Sequence, residues 1–140
     1  MESKSSEPKS ISFEFFPPNS AEALEKLVSE ARELSRFEPE FFSVTFGAGG
    51  GTRKKTLQTA NSLHQKFKIP IAPHISCISL NLDLAKKTIS QYIEAGHRRL
   101  VVLRGDMPSG VPINSDFKYA KDLVKFIYDE FRESIFIDVA

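Results

Sequence analysis

From Ile11 onward, short runs of β-branched and aromatic residues alternate with longer stretches in which apolar residues recur every three or four positions. Ile11–Phe16 predicts a strand with a hard end at Pro17-Pro18. Asn19 or Ser20 can cap a helix running to about Phe37, with Ala23, Leu24, Leu27, Val28, Ala31 and Leu34 at helical spacing. Phe41–Phe46 predicts a second strand, closed by Gly47-Ala48-Gly49-Gly50-Gly51. Thr52 then caps a helix to about Phe67 that carries Leu57, Ala60, Leu63 and Phe67 on one face. A third strand, Ile69–Ile75, is followed by a helix from Asn81 or Asp83 to about Ala95, with Gly96 at its C-cap. Arg98–Leu103 predicts a fourth strand. After a loop holding Gly105, Pro108, Gly110 and Pro112, Asp116 starts a helix to about Phe131, and Ser134–Ala140 begins a fifth strand. Residues 1–10 read as a flexible polar tail.

Strict alternation of strand and helix implies an α/β fold with parallel pairing through right-handed crossovers. One apolar face per helix suits an outer layer over a sheet. Two architectures accommodate this, an open doubly wound sheet and an eight-stranded barrel. A dinucleotide-binding open sheet carries its glycine fingerprint after the first strand, where this chain has Pro17-Pro18. Glycines and polar residues gather instead after several strands, at the C-terminal ends where barrel enzymes build their sites. The pattern favours (βα) units of an eight-stranded TIM-type barrel. About half of the barrel is expected in residues 11–140, since a complete one takes roughly 250 residues.

With 41% hydrophobic and 26% charged residues, the chain can bury a core and is not expected to be disordered. A net charge of +1, with Lys and Arg dispersed, gives no electrostatic case for nucleic acid or an anionic membrane surface. No apolar run approaches the roughly 20 residues of a membrane span. Met1 to Ser10 lacks the apolar segment of a signal peptide. The single cysteine, Cys77, excludes an internal disulfide and suits a reducing cytoplasm. A small buried thiol near a strand end is favoured there over a nucleophile served by His74. His64, His74 and His97 lack the cysteine or carboxylate spacings of a zinc site, so no metal is expected.

Glu14, in Ser12-Phe13-Glu14-Phe15-Phe16, leaves its strand on the face opposite Phe13 and Phe15. In a buried parallel strand a carboxylate is costly unless paired or protonated. Desolvation would raise its pKa and make it a proton donor near neutral pH, while a structural ion pair inside the barrel is the other reading. Asp106 follows Leu103-Arg104-Gly105 at the mouth of the fourth strand. Gly105 there admits close backbone approach, and the carboxylate can accept from ring N–H groups of a heterocycle. Arg-Gly-Asp is also an adhesion tripeptide, but nothing else in the chain points to secretion. The glycine run before Thr52 resembles a phosphate cradle without the Gly-Lys-Ser/Thr ending of a P-loop, and a flexible loop at the barrel mouth explains it equally. His74, in Ala72-Pro73-His74, ends the third strand beside these other strand ends, as a structural imidazole or as part of the site.

Four segments then fall into a known order. Ser12-Phe13-Glu14-Phe15-Phe16-Pro17-Pro18, Ser43-Val44-Thr45-Phe46-Gly47-Ala48-Gly49-Gly50, Pro73-His74-Ile75-Ser76-Cys77 and Leu103-Arg104-Gly105-Asp106 resemble methylenetetrahydrofolate reductase, at that family's spacings. The resemblance runs from about Ile11 to Ala140, and the Thr-Phe-Gly-Ala-Gly-Gly stretch resembles bacterial members. It implies a barrel with FAD at its C-terminal mouth. NADH or NADPH reduces the flavin and leaves, and methylenetetrahydrofolate takes its place and becomes methyltetrahydrofolate for methionine synthesis. Glu14 matches the family's general acid, and Asp106 the carboxylate that tunes the flavin and orients the pterin. Thr45, Phe46, Ala48, His74, Arg104 and Gly105 match positions lining the flavin beside Asp106, and Tyr119 and Ala120 match contacts in the next helix.

The chain departs from the family at the rim, with Gly51 where many relatives have a polar residue and Lys54-Lys55 where acidic or mixed residues are common. Family members also continue beyond the fifth strand into a Tyr-Pro…His segment that grips FAD and a folate-binding glutamine. The expectation is therefore the incomplete N-terminal half of a flavin and folate reductase domain, homo-oligomeric in its full-length form. A half-barrel without catalysis, serving as a binding or assembly module, is the alternative.

Overall fold

The computed structural model of the chain describes residues 9–46, 52–106 and 114–140. Five parallel strands, β1 (Ser12–Phe15), β2 (Phe41–Val44), β3 (Ile71–Ser76), β4 (Arg99–Leu103) and β5 (Phe136–Val139), lie in the order β1-β2-β3-β4-β5. Helices α1 (Ala21–Leu34), α2 (Thr52–Lys66), α3 (Leu82–Glu94) and α4 (Ala120–Phe131) occupy the crossovers. A strand order that never reverses, with crossovers of one hand, keeps every helix on the same face of the sheet.

The register identifies that face. Phe15 lies level with Val44, Phe42 with Ile71, Ile75 with Val102 and Leu100 with Ile137. Leu27 and Ala31 of α1 and Ala60 and Leu63 of α2 close over Phe15, Phe42, Val44 and Ile71. Ala85, Ile89 and Tyr92 of α3 and Leu123 and Ile127 of α4 close over Ile75, Leu100 and Val102. Each large aliphatic side chain buried this way stabilises the fold by about 1.5–3 kcal/mol. Among the described residues no helix covers the other face, as a doubly wound sheet would require. The arrangement is an α/β sheet consistent with part of a barrel.

Local chemistry sets most boundaries. The Ser20 hydroxyl accepts from the Ala23 N–H at 3.1 Å and starts α1, whose last turn continues as a 3-10 turn over Ser35–Phe37. Asn81 accepts from the Leu84 N–H at 2.8 Å and starts α3. At the other end of α3, Gly96 stands just past the cap at φ +95, its N–H on Ile93 and the His97 N–H on Tyr92, the paired bonds of a Schellman motif.

One boundary differs in kind. The helix expected from Asp116 begins later, at Ala120, because the Asp116 carboxylate is used elsewhere: it accepts from the Leu82 N–H at 2.8 Å, at the start of α3. Asp122 serves α4 instead, accepting from the Tyr119 N–H at 2.8 Å. Elsewhere the differences are small, with β2 stopping at Val44 and β3 running on to Ser76. Residues 1–8, the glycine run 47–51, and Pro108, Gly110 and Pro112 lie outside the described residues.

The helix-free face is polar. At its N-terminal end Arg99 donates to Asp138 through Nε at 2.6 Å and Nη2 at 3.0 Å, and to Glu40 through Nη1 at 2.8 Å. Its guanidinium lies over the rings of Phe41 and Phe136, 3.9 and 4.7 Å from their centroids. This cation ties β4 to β5 and to the residue preceding β2.

Behind α3, His97 is 1% exposed and its Nε2 lies 2.8 Å from the Asn61 carboxamide oxygen. Burial first, and the neighbouring His64 second, lower its pKa from 6.5 to about 4. The folded protein therefore binds fewer protons here than the unfolded chain. The stability this secures is complete above pH 6.5 and is lost as pH falls from 6.5 to about 4. Urea titrations across that window should show a loss of up to about 3 kcal/mol, and His97→Phe should flatten it. An unaltered slope in the variant would assign the acid sensitivity to another group.

Candidate functional site

Parallel strands place all five C-terminal ends on one rim, so residues distant in sequence meet there. On the polar face Glu14 is level with Ser43 of β2, which is level with Ala72 of β3. Adjacent strands lie roughly 4.8 Å apart, and the small Ser43 side chain leaves the space over β2 open. Glu14 uses it to approach His74, with Oε2 3.5 Å from Nε2. The His74 side chain is 7% exposed and that of Glu14 is 55% exposed. The expected burial of Glu14 is thus corrected. Phe13 and Phe15 turn to the helix side, and Glu14 is left among Ser12, Ser43 and solvent on the edge strand. The buried partner is His74. Burial lowers its pKa, and the Glu14 charge opposes that shift. His74 Nε2 finds no hydrogen-bond partner among the described residues.

The rim itself is built from backbone. The Thr45 N–H donates to the Phe15 carbonyl at 2.9 Å, and the Thr56 hydroxyl donates to the Thr45 carbonyl at 3.0 Å, fixing the end of β2 to both neighbours. Arg53 of α2 lies 5.6 Å from the Phe46 ring centroid and donates to the Ser79 carbonyl at 2.9 Å. After β4 the chain turns at Gly105, φ +84. The Ser76 hydroxyl donates to the Arg104 carbonyl at 3.1 Å and accepts from the Ile78 N–H at 3.2 Å. The Arg104 guanidinium lies 5.6 Å from the Tyr119 ring centroid, and the ammonium groups of Lys118 and Lys121 lie 5.3 and 5.6 Å from it. Ala120 opens α4 beside this cluster.

The structure therefore joins Glu14 to His74, and Arg104 to Tyr119. Asp106 is exposed just beyond Gly105, and among the described residues no hydrogen bond or ion pair links it to Glu14 or His74. Ala48 lies outside the described residues. Sequence reasoning passed over Ser43, Ser76 and Arg53, whose roles depend on which strand or loop lies alongside; only the small residue two places after His74 hinted at Ser76.

Cys77 is 2% exposed, and burial pushes its thiol up to about 11, which leaves it protonated and inert. A hollow of about 420 Å³ opens at the opposite end of the sheet, between Phe67, Ile71, His97 and Phe136. Its wall also carries His64, Lys68, Arg98 and Arg99, and no carboxylate. Among the described residues no three His, Cys, Asp or Glu side chains converge as metal ligands, and no helix is long and apolar enough to cross a membrane.

Comparison with known proteins bears on the family. The model of the family described as methylenetetrahydrofolate reductase matches residues 1–140. The 5,10-methylenetetrahydrofolate reductase of Buchnera aphidicola subsp. Schizaphis graminum is 42% identical over 116 residues, covering 81% of this chain and 38% of that protein. That of Escherichia coli (strain K12) is 36% identical over 117 residues, 84% of this chain and 39% of that protein. Methylenetetrahydrofolate reductase (NADH) 1 of Arabidopsis thaliana is 30% identical over 134 residues, 93% of this chain and 23% of that protein. The chain thus spans less than half the length of these curated relatives. Its polar strand ends, its helix-backed parallel sheet and a family match over its whole length agree: the chain belongs to the methylenetetrahydrofolate reductase family.

Proposed function

We propose that the protein carrying this chain is a flavin-dependent reductase that uses NADH or NADPH to convert methylenetetrahydrofolate to methyltetrahydrofolate. The observation that supports it most is the half-exposed Glu14 carboxyl facing the buried His74 imidazole, below a rim that bears Arg104, Asp106 and Tyr119. The names of the relatives supply the folate, and that of the Arabidopsis protein supplies NADH.

The rim suits FAD. Gly105 turns the chain at the mouth of β4, Phe46 and Tyr119 offer ring faces, and Arg104, Lys118 and Lys121 offer cations for a diphosphate. Thr45, Ala48, His74, Asp106 and Ala120 would complete its lining. When bound, FAD supplies the hydride. Glu14 gives its proton to the folate nitrogen that leaves the methylene carbon as the five-membered ring opens, and the other nitrogen forms the iminium. Asp106 accepts from pterin N–H groups and keeps a negative charge beside the flavin.

Residues 11–140 are read as the N-terminal half of a TIM-type barrel. Ile11 and Phe16 flank the free edge of β1, and Phe136 and Val139 lie on the free edge of β5, all exposed. Unpaired apolar edges template association, and later strands of a longer chain would cover them. A homo-oligomeric, cytoplasmic enzyme completes the reading. The same edges favour a second reading, a half-barrel that only binds or assembles, which absence of flavin absorbance from the purified chain would favour.

Asp106→Asn tests the site directly. The full-length variant should keep FAD, lose folate turnover roughly tenfold or more, and show a higher flavin reduction potential, because a negative charge beside the reduced ring has been removed. A potential that stays put would place Asp106 too far from the flavin for this role.

A further inference from the structure

We propose that His74 is a positioning residue for Glu14: its Nε2–H donates to Glu14 Oε2 and turns the carboxyl so that Oε1 carries the transferable proton toward the substrate. This rests on the reductase reading above. The two atoms are 3.5 Å apart, close enough to tighten into a hydrogen bond once substrate excludes water from a carboxyl that is 55% exposed without it. A buried polar atom without a partner costs about 1–3 kcal/mol. His74 Nε2 is such an atom, and Glu14 is the group poised to relieve it.

The neighbours on that face are otherwise engaged. Val101 is level with His74, and Asp138 with Val101, but both Asp138 oxygens are held by Arg99. The Ser76 hydroxyl serves Arg104 and Ile78. Burial keeps the imidazole uncharged, so it bears one proton, and the Nε2–H tautomer is the one that meets a carboxyl oxygen.

The step balances without a second transfer. The Glu14 O–H bond breaks at Oε1, the proton goes to the departing folate nitrogen, and the new carboxylate charge meets an N–H already in place. His74 keeps its proton throughout. Because the donor strengthens its bond as the charge develops, its loss should affect the chemical step rather than binding.

The test uses the full-length flavoprotein and follows the two half-reactions separately. Because His74 also falls in the proposed flavin lining, the readout is the ratio of the two half-reactions. His74→Leu should slow reduction of methylenetetrahydrofolate roughly 10- to 100-fold more than nicotinamide oxidation by the flavin, and His74→Gln, which retains an N–H donor, should recover much of that difference. Ser43→Val, which leaves the imidazole intact but fills the space through which Glu14 reaches it, should reproduce the folate-specific loss and covers the case in which His74→Leu does not fold. Equal losses in both half-reactions, equal behaviour of the Gln and Leu variants, or an unaffected Ser43→Val protein would overturn the proposal. A wild-type protein inert toward methylenetetrahydrofolate would overturn the reductase reading itself, and would do so before any substitution is made.

Discussion

Glu14→Gln in the full-length protein is expected to suppress folate reduction roughly a hundred- to ten-thousand-fold while nicotinamide oxidation by the flavin continues. The side chain leaves β1 on the polar face, and its carboxyl is the acidic group within reach of His74. Glutamine has the same shape and can still accept from the imidazole, so packing and orientation survive. Only the transferable proton is lost. On the proposed function, the first half-reaction would move a hydride from nicotinamide and have no use for that proton, whereas ring opening of the folate would. Stopped-flow measurement of each half-reaction separates them. A matching loss in both would make Glu14 a structural residue.

Gly105→Ala should cost about 2–4 kcal/mol of stability and displace Asp106. Gly105 adopts φ +84, a conformation that an alanine reaches only with strain. A Cβ there would also overlap the Ser76 hydroxyl and come 2.9 Å from Ile78 Cδ1. The Ser76 hydroxyl cannot easily give way, since it bridges the Arg104 carbonyl and the Ile78 N–H, whereas Ile78 Cδ1 is the end of a flexible side chain. The double variant Gly105→Ala with Ser76→Ala removes the overlapping oxygen but leaves the dihedral strain. Its loss of urea stability should therefore be smaller than the sum of the two single losses. Strict additivity would mean that the contact contributes nothing and that strain alone sets the cost.

Much of the fold was legible in the chain because it follows from local rules. Ser20 and Asn81 cap the helices expected of them, Gly96 ends α3, and the parity of Phe13, Phe15, Phe42 and Val44 predicts which strand faces are apolar. Those rules act over a few residues, so a sequence carries them whatever lies alongside. Resemblance of four short segments to one family added what periodicity could not, the expectation of a substrate and a cofactor. Asp116 failed as a helix start because its carboxylate found the Leu82 N–H, a partner that only the packing of two loops supplies.

The tertiary structure alone decided the rest. Glu14 is expected in a buried setting, but among the described residues β1 pairs on one side only and the carboxyl is half-exposed, so the burial falls to His74. That the two meet at all depends on strand order and register, with β2 offering a serine between them. The same holds for Arg99 held by Asp138 and Glu40, and for Ser76 beneath Gly105. Spacing and capping determined where strands and helices form. Which polar groups converge was determined by parallel pairing of segments far apart in the chain, because register, unlike capping, is a property of two strands and belongs to neither sequence by itself.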